Sequence, residues 1–119
     1  MAWRPRGPIG IWRATVWSLQ GLRTALKREE SLRLYTVLSL VLIPAGIWLG
    51  ESGVERALLV SVVLLILIAE LINTAIEVVF ERYGDEQHPV TGAGKDIGSA
   101  AVFVTIVLAI ATWVLVLTG

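Results

Sequence analysis

Three apolar runs, Leu34 to Gly50, Ala57 to Phe80 and Ile97 to Leu117, take up more than half of the 119 residues of this chain. Each is long enough to cross a hydrocarbon core of about 30 Å as a helix, the first at the short end of the range. A backbone in contact with lipid must satisfy its own hydrogen bonds, which leaves only helices and closed barrels. Runs of this length without period-two alternation are helices. With 55% hydrophobic and 17% charged residues and a mean hydropathy of +0.75, the chain is too apolar for an ordinary soluble domain of its size. The expected fold is one all-α integral membrane domain over residues 1–119, with transmembrane helices at 34–50, 57–80 and 97–117.

Ahead of the first span, Ile9, Trp12, Val16, Leu19, Leu22 and Leu26 recur at spacings of three and four. Arg13, Gln20, Arg23, Lys27 and Arg28 fill the other sides, so residues 9–28 read as an amphipathic helix lying in the headgroup region. No apolar segment with a cleavage site follows the basic amino terminus, and Met1 to Arg28 is therefore not read as a removed signal peptide. Charge is segregated along the chain. Met1 to Arg33 holds seven basic and two acidic residues, whereas Glu51 to Asp96 holds eight acidic and three basic. The basic segment suits an anionic membrane surface, the acidic one suits Mg²⁺, and neither resembles a nucleic-acid face. Seven Lys and Arg residues precede the first span, one lies between the first and second, two between the second and third, and none follows. This bias places the amino terminus and the loop at Tyr83 to Thr91 in the cytoplasm. Cysteine is absent, so disulfides and thiolate chemistry are excluded.

The second span carries carboxylates where none is cheap. A charged side chain near the centre of a membrane helix costs roughly 2.5–3.5 kcal/mol on insertion scales, and such residues mark function by default. Glu70 and Glu77 are two turns apart, on one face, with a rise of roughly 10.5 Å between them. Asn73 lies between them and Glu81 extends the strip. In this reading Glu70 is a general base at depth and the carboxylates above it are metal ligands. The alternative is a hydrogen-bonded seam between helices. Glu29 and Glu30 lie at the same interface height as Glu77, and either would complete a hard-cation site. Across the loop, Lys95 and the free amides at the start of the third span can receive phosphate oxygens. Thr91 to Asp96 lacks the glycine spacing of a P-loop and the hydroxyl residue after its lysine. Gly94 and Gly98 have the spacing of close helix packing. His88, the only histidine, reads as an ordinary loop residue.

Taken together, Glu70-Leu71-Ile72-Asn73-Thr74-Ala75-Ile76-Glu77, then Gly84, Glu86 and His88, then Gly92 to Ala101 with Lys95-Asp96-Ile97-Gly98-Ser99, resemble the prokaryotic diacylglycerol kinase family. The resemblance extends to Gly21-Leu22-Arg23, Glu29 and Arg33. It implies a small homotrimeric kinase of the bacterial cytoplasmic (inner) membrane that moves the γ-phosphoryl of MgATP to a lipid hydroxyl, diacylglycerol giving phosphatidic acid. By position it implies Glu70 as catalytic base, Asn73 as its support, and Glu29 and Glu77 as ligands of Mg²⁺. It further implies nucleotide contacts from Trp17, Glu29, Glu77, Glu86, Gln87, His88, Lys95 and Asp96, and lipid contacts from Arg23, Glu70 and Ser99. The chain departs from the family pattern at Gly10, Trp17, Arg28 and Tyr35, where a basic residue, tyrosine, asparagine and an acidic residue are usual.

Undecaprenol is a second acceptor within the same family. From a different class, the Glu70 to Glu81 strip would serve a small oligomeric ion conductor, although the second span has no polar residue before Glu70 except Ser61. A non-catalytic accessory protein is the third reading. Three thin helices cannot enclose both ATP and a lipid, so sites shared between subunits are expected.

Overall fold

The computed structural model describes residues 7–81 and 89–119. They form four helices, α1 (Gly7–Arg28), α2 (Glu30–Leu49), α3 (Gly53–Glu81) and α4 (Pro89–Thr118). Three segments are long and apolar enough to cross a membrane: Glu30–Leu49, Gly53–Glu81 and Gly92–Thr118. At 1.5 Å per residue α3 exceeds 40 Å, longer than a hydrocarbon core of about 30 Å, so its charged ends extend beyond the apolar zone.

The helices begin earlier than the apolar runs alone indicate, and local chemistry explains why. At the start of α3 the Ser52 hydroxyl accepts the Glu55 amide at 3.1 Å, and the Glu55 carboxylate accepts the Glu51 amide at 3.0 Å. This reciprocal cap starts the helix at Gly53, four residues before the expected Ala57. Arg56 Nε donates to the Ile47 carbonyl at 3.0 Å and closes the end of α2 in the same turn. The fourth helix begins at Pro89, within the stretch read from sequence as a loop. Helix α2 runs through Pro44, which removes one hydrogen bond without ending the helix.

A single non-helical residue, Glu29, joins α1 to α2, with φ −112° and ψ 114°. The turn is held by Arg33, whose Nη1 donates to the Leu26 and Lys27 carbonyls at 2.7 and 3.1 Å, satisfying the exposed end of α1. An ion pair between Arg28 and Glu81 ties the same corner to the end of α3.

Helix α3 is central. It packs most extensively on α4, then on α2, while α1 touches α2 and α3 lightly. Small residues allow the close approaches. A Cβ at Gly46 would lie 3.0 Å from Leu59 Cβ, and one at Gly94 would lie 2.6 Å from the Phe80 ring. Trp113 Nε1 donates to the Leu59 carbonyl at 3.1 Å, locking α4 to α3 at the end remote from Glu77. Among the described residues only Leu32 and Leu59 of the large side chains are fully enclosed, and much of the apolar surface of α2 to α4 is exposed. Exposed apolar area on this scale calls for lipid or further protein around it. On α1, Ile9, Trp12, Leu19 and Leu22 are exposed and only Ala25 is buried.

Candidate active site

Helix periodicity brings Glu70, Asn73 and Glu77 to one side of α3, and the packing of α2 and α4 turns that side into the wall of a cleft. The cleft has a volume of about 350 Å³ and is lined by residues of three helices and the α1–α2 joint. Glu29 and Ser31 contribute from the joint and first turn of α2, and Ser99 from α4. Tyr35, Val102, Phe103 and Ile106 form the apolar part of the wall.

Glu70 is 5% exposed. Its Oε1 accepts a hydrogen bond from Ser31 Oγ at 2.7 Å. Among the described residues no donor engages Oε2. A buried carboxylate with one oxygen held and the other free has the geometry of a base with one available proton site. One turn on, Asn73 is buried and its Nδ2 reaches Glu77 Oε1 at 3.4 Å, the long limit for such a bond. Among the described residues the other amide atom, Asn73 Oδ1, finds no conventional donor. It faces the point on Gly98 where a Cβ would stand, so only a residue without a Cβ leaves room for it. Gly98 therefore serves the site as well as helix packing.

Glu77 is half-buried and faces Glu29 within hydrogen-bonding reach, with the charges of Glu70 and Lys95 also acting on it. Two facing carboxylates repel unless a cation or proton lies between them. Their hard oxygen donors suit Mg²⁺, which takes one or two carboxylates and completes its shell with phosphate and water oxygens. No group of three or more acidic or histidine side chains with metal-site spacing occurs among the described residues. A two-carboxylate site of this kind does not need one.

The structure separates residues that sequence spacing left equivalent. Glu29 enters the cleft, whereas Glu30 begins α2 and is exposed. Glu81, expected to extend the strip, instead turns away to Arg28. Glu29, Glu70, Asn73, Glu77 and Ser99 come together as wall residues. Lys95 is exposed on α4 near Glu77, and Asp96 is exposed beside it. Trp17 and Arg23 lie exposed on α1, outside the cleft. Glu86, Gln87 and His88 lie outside the described residues. Ser31 was not anticipated, although a buried carboxylate requires a donor and Ser31 follows Glu29 by two residues.

Below the polar cleft lies an apolar groove of about 360 Å³ between α2, α3 and α4, lined by residues such as Leu38, Val63 and Trp113. Tyr35 and Ile106 are common to both, so the two spaces adjoin.

The sequence pattern of the prokaryotic diacylglycerol kinases matches residues 16–117. This chain belongs to that family. Proteins named diacylglycerol kinase resemble it over almost their whole length. That of Pseudomonas aeruginosa is 42% identical over 117 residues, covering 96% of this chain and 95% of its own. That of Escherichia coli K12 is 39% identical over 117 residues, covering 98% and 96%. That of Haemophilus influenzae is 39% identical over 111 residues, covering 93% and 94%. The family match spans all three apolar helices, the α1–α2 joint and the whole cleft, so family membership and the buried carboxylates concern the same part of the molecule.

Proposed function

We propose that this protein is an ATP-dependent lipid kinase that transfers the γ-phosphoryl of MgATP to the hydroxyl of diacylglycerol, giving phosphatidic acid. The observation that carries the reading is Glu70, buried in the wall of a polar cleft that adjoins an apolar groove, with one carboxylate oxygen held by Ser31 and, among the described residues, no donor on the other. A lipid hydroxyl belongs at that boundary, with its acyl chains toward the groove. Glu70 Oε2 accepts the hydroxyl proton as the oxygen attacks the γ-phosphorus and the bond to the bridging oxygen of ADP breaks.

Phosphoryl transfer asks chiefly for in-line positioning and for neutralisation of the phosphate oxygens. Glu29 and Glu77 would hold Mg²⁺, which when bound withdraws charge from the phosphates. Lys95 supplies a second positive charge on the same side. Asn73 orients the Glu77 carboxylate through its amide, and Ser99 borders the acceptor's position. Asp96, Trp17 and the segment Glu86 to His88 would contact the nucleotide, and Arg23 the lipid. This chain has overall extents of 48 × 42 × 21 Å and leaves Trp17 and Arg23 outside the cleft. We place complete sites between subunits of a homotrimer, embedded in the bacterial cytoplasmic membrane with the amino terminus and the Glu77 end of α3 in the cytoplasm. The exposed apolar side chains of α1 then rest among lipid headgroups.

An ion-conducting role receives no support, because Ser61, the one polar residue of α3 between Arg56 and Glu70, turns its hydroxyl back to the Ala57 carbonyl. The test is a kinase assay in bilayers with MgATP and a panel of acceptors that includes diacylglycerol and undecaprenol. Diacylglycerol should be the preferred acceptor, and Glu70→Gln should abolish turnover. Preferred phosphorylation of undecaprenol would change the acceptor, and an active Glu70→Gln would remove Glu70 as base.

A further inference from the structure

We propose that Ser31 is a positioning residue for the reaction: its hydroxyl fixes the Glu70 carboxylate so that Oε2 alone faces the acceptor. This rests on the assignment of Glu70 as base. A carboxylate as enclosed as Glu70 needs a hydrogen-bond donor, and the described residues offer it Ser31 Oγ, at 2.7 Å from Oε1.

The bond is notable because most other hydrogen-bonded helical hydroxyls among the described residues turn back to their own helix. Thr15, Ser18, Thr36, Ser61 and Thr105 each donate to the carbonyl four residues earlier. For Ser31 that carbonyl belongs to Lys27, on the far side of the break at Glu29, and it is taken by Arg33 Nη1 at 3.1 Å. The break in the helix and the arginine together release the Ser31 hydroxyl from the usual local bond. It crosses to α3 instead.

Two consequences follow for chemistry. A hydroxyl donating to a carboxylate is a charge-assisted bond, so it limits rotation of the Glu70 carboxylate and distinguishes its two oxygens. Ser31 also stands two residues from Glu29, on the first turn of α2. The metal-binding carboxylate and the partner of the base therefore move as one unit, and their separation is set by a rigid helix end. Donation by Ser31 aligns the base with the phosphate without touching either reactant.

The experiment compares Ser31→Ala, Ser31→Thr and Glu70→Gln with the unaltered full chain in bilayers, varying MgATP and a short-chain diacylglycerol separately, with thermal unfolding of each variant. Ser31→Ala should lower kcat by about 10- to 100-fold, the range seen when a residue supporting a catalytic group is removed. Its KM for MgATP should stay within about twofold, and its melting temperature should fall modestly while the variant remains folded, because Glu70 loses its donor. Ser31→Thr, which keeps the hydroxyl, should recover kcat to within a few-fold. An unchanged kcat in Ser31→Ala, equal damage in the Ala and Thr variants, or an effect confined to KM would each overturn the proposal. If Glu70→Gln remains active, the assignment of the base fails. If Glu70→Gln is inactive while Ser31→Ala is normal, only the role of Ser31 fails.

Discussion

Replacing Gly98 with alanine tests whether the α3–α4 contact holds the site in register. A Cβ at this position would enter the space of Asn73 Oδ1, well inside van der Waals distance, and would also come within 3.5 Å of Ile76 Cδ1. To regain normal separation the amide must retreat by about 1 Å, or the two helices must part by a similar amount. Asn73 is 7% exposed and has little room, so overpacking should cost about 1–3 kcal/mol of stability. The Asn73 to Glu77 bond, already 3.4 Å long, would break first. Loss of about 1 Å of alignment at a reacting centre is worth up to about 100-fold in rate. We therefore expect Gly98→Ala to lower kcat by about 10- to 100-fold and to reduce the melting temperature measurably in the same detergent. Gly92→Ala serves as the control, since nothing lies within 4 Å of its Cβ position, and it should be neutral or slightly stabilising. In a double variant with Asn73→Ala the clash disappears, so adding Gly98→Ala should cause no further loss. Full activity in Gly98→Ala, or additive losses in the double variant, would refute the argument.

Two further outcomes follow from the same geometry. Glu77→Gln removes one of the two facing carboxylates, so the Mg²⁺ concentration for half-maximal activity at fixed ATP should rise by at least about tenfold, as measured in a metal titration; an unchanged requirement would exclude Glu77 as ligand. Ser52→Ala removes the cap of α3 and should cost about 1 kcal/mol in thermal unfolding while leaving kcat unchanged. Its hydroxyl is separated from Glu70 by some 18 residues of helix, roughly 27 Å, and reduced turnover at full folding would show that the remote turn reaches the site.

Much of the fold was legible because its strongest signals are local. Apolar runs identify membrane helices when every backbone group must bond within its own segment, and a period of 3.6 residues assigns Glu70, Asn73 and Glu77 to one face. The helices of the second and third spans extend beyond the apolar runs, to Gly53 and Pro89, for a reason equally local. Hydropathy weighs apolar content, whereas the Ser52–Glu55 cap acts through individual backbone groups. The resemblance to the family likewise rests on linear spacing, and the match over residues 16–117 agrees with it.

The sequence by itself determined that this chain forms three helices long and apolar enough to cross a membrane, with carboxylates along the second, and it pointed to the family the chain belongs to. Tertiary structure alone decided that Glu29 rather than Glu30 meets Glu77, that Glu81 leaves the strip for Arg28, that Ser31 serves Glu70, and that Gly98 makes room for Asn73. Spacing along one helix follows from the rise and turn of that helix. Contacts between helices depend on their relative rotation and on the bend at a single residue, Glu29, and no repeat in the sequence encodes either.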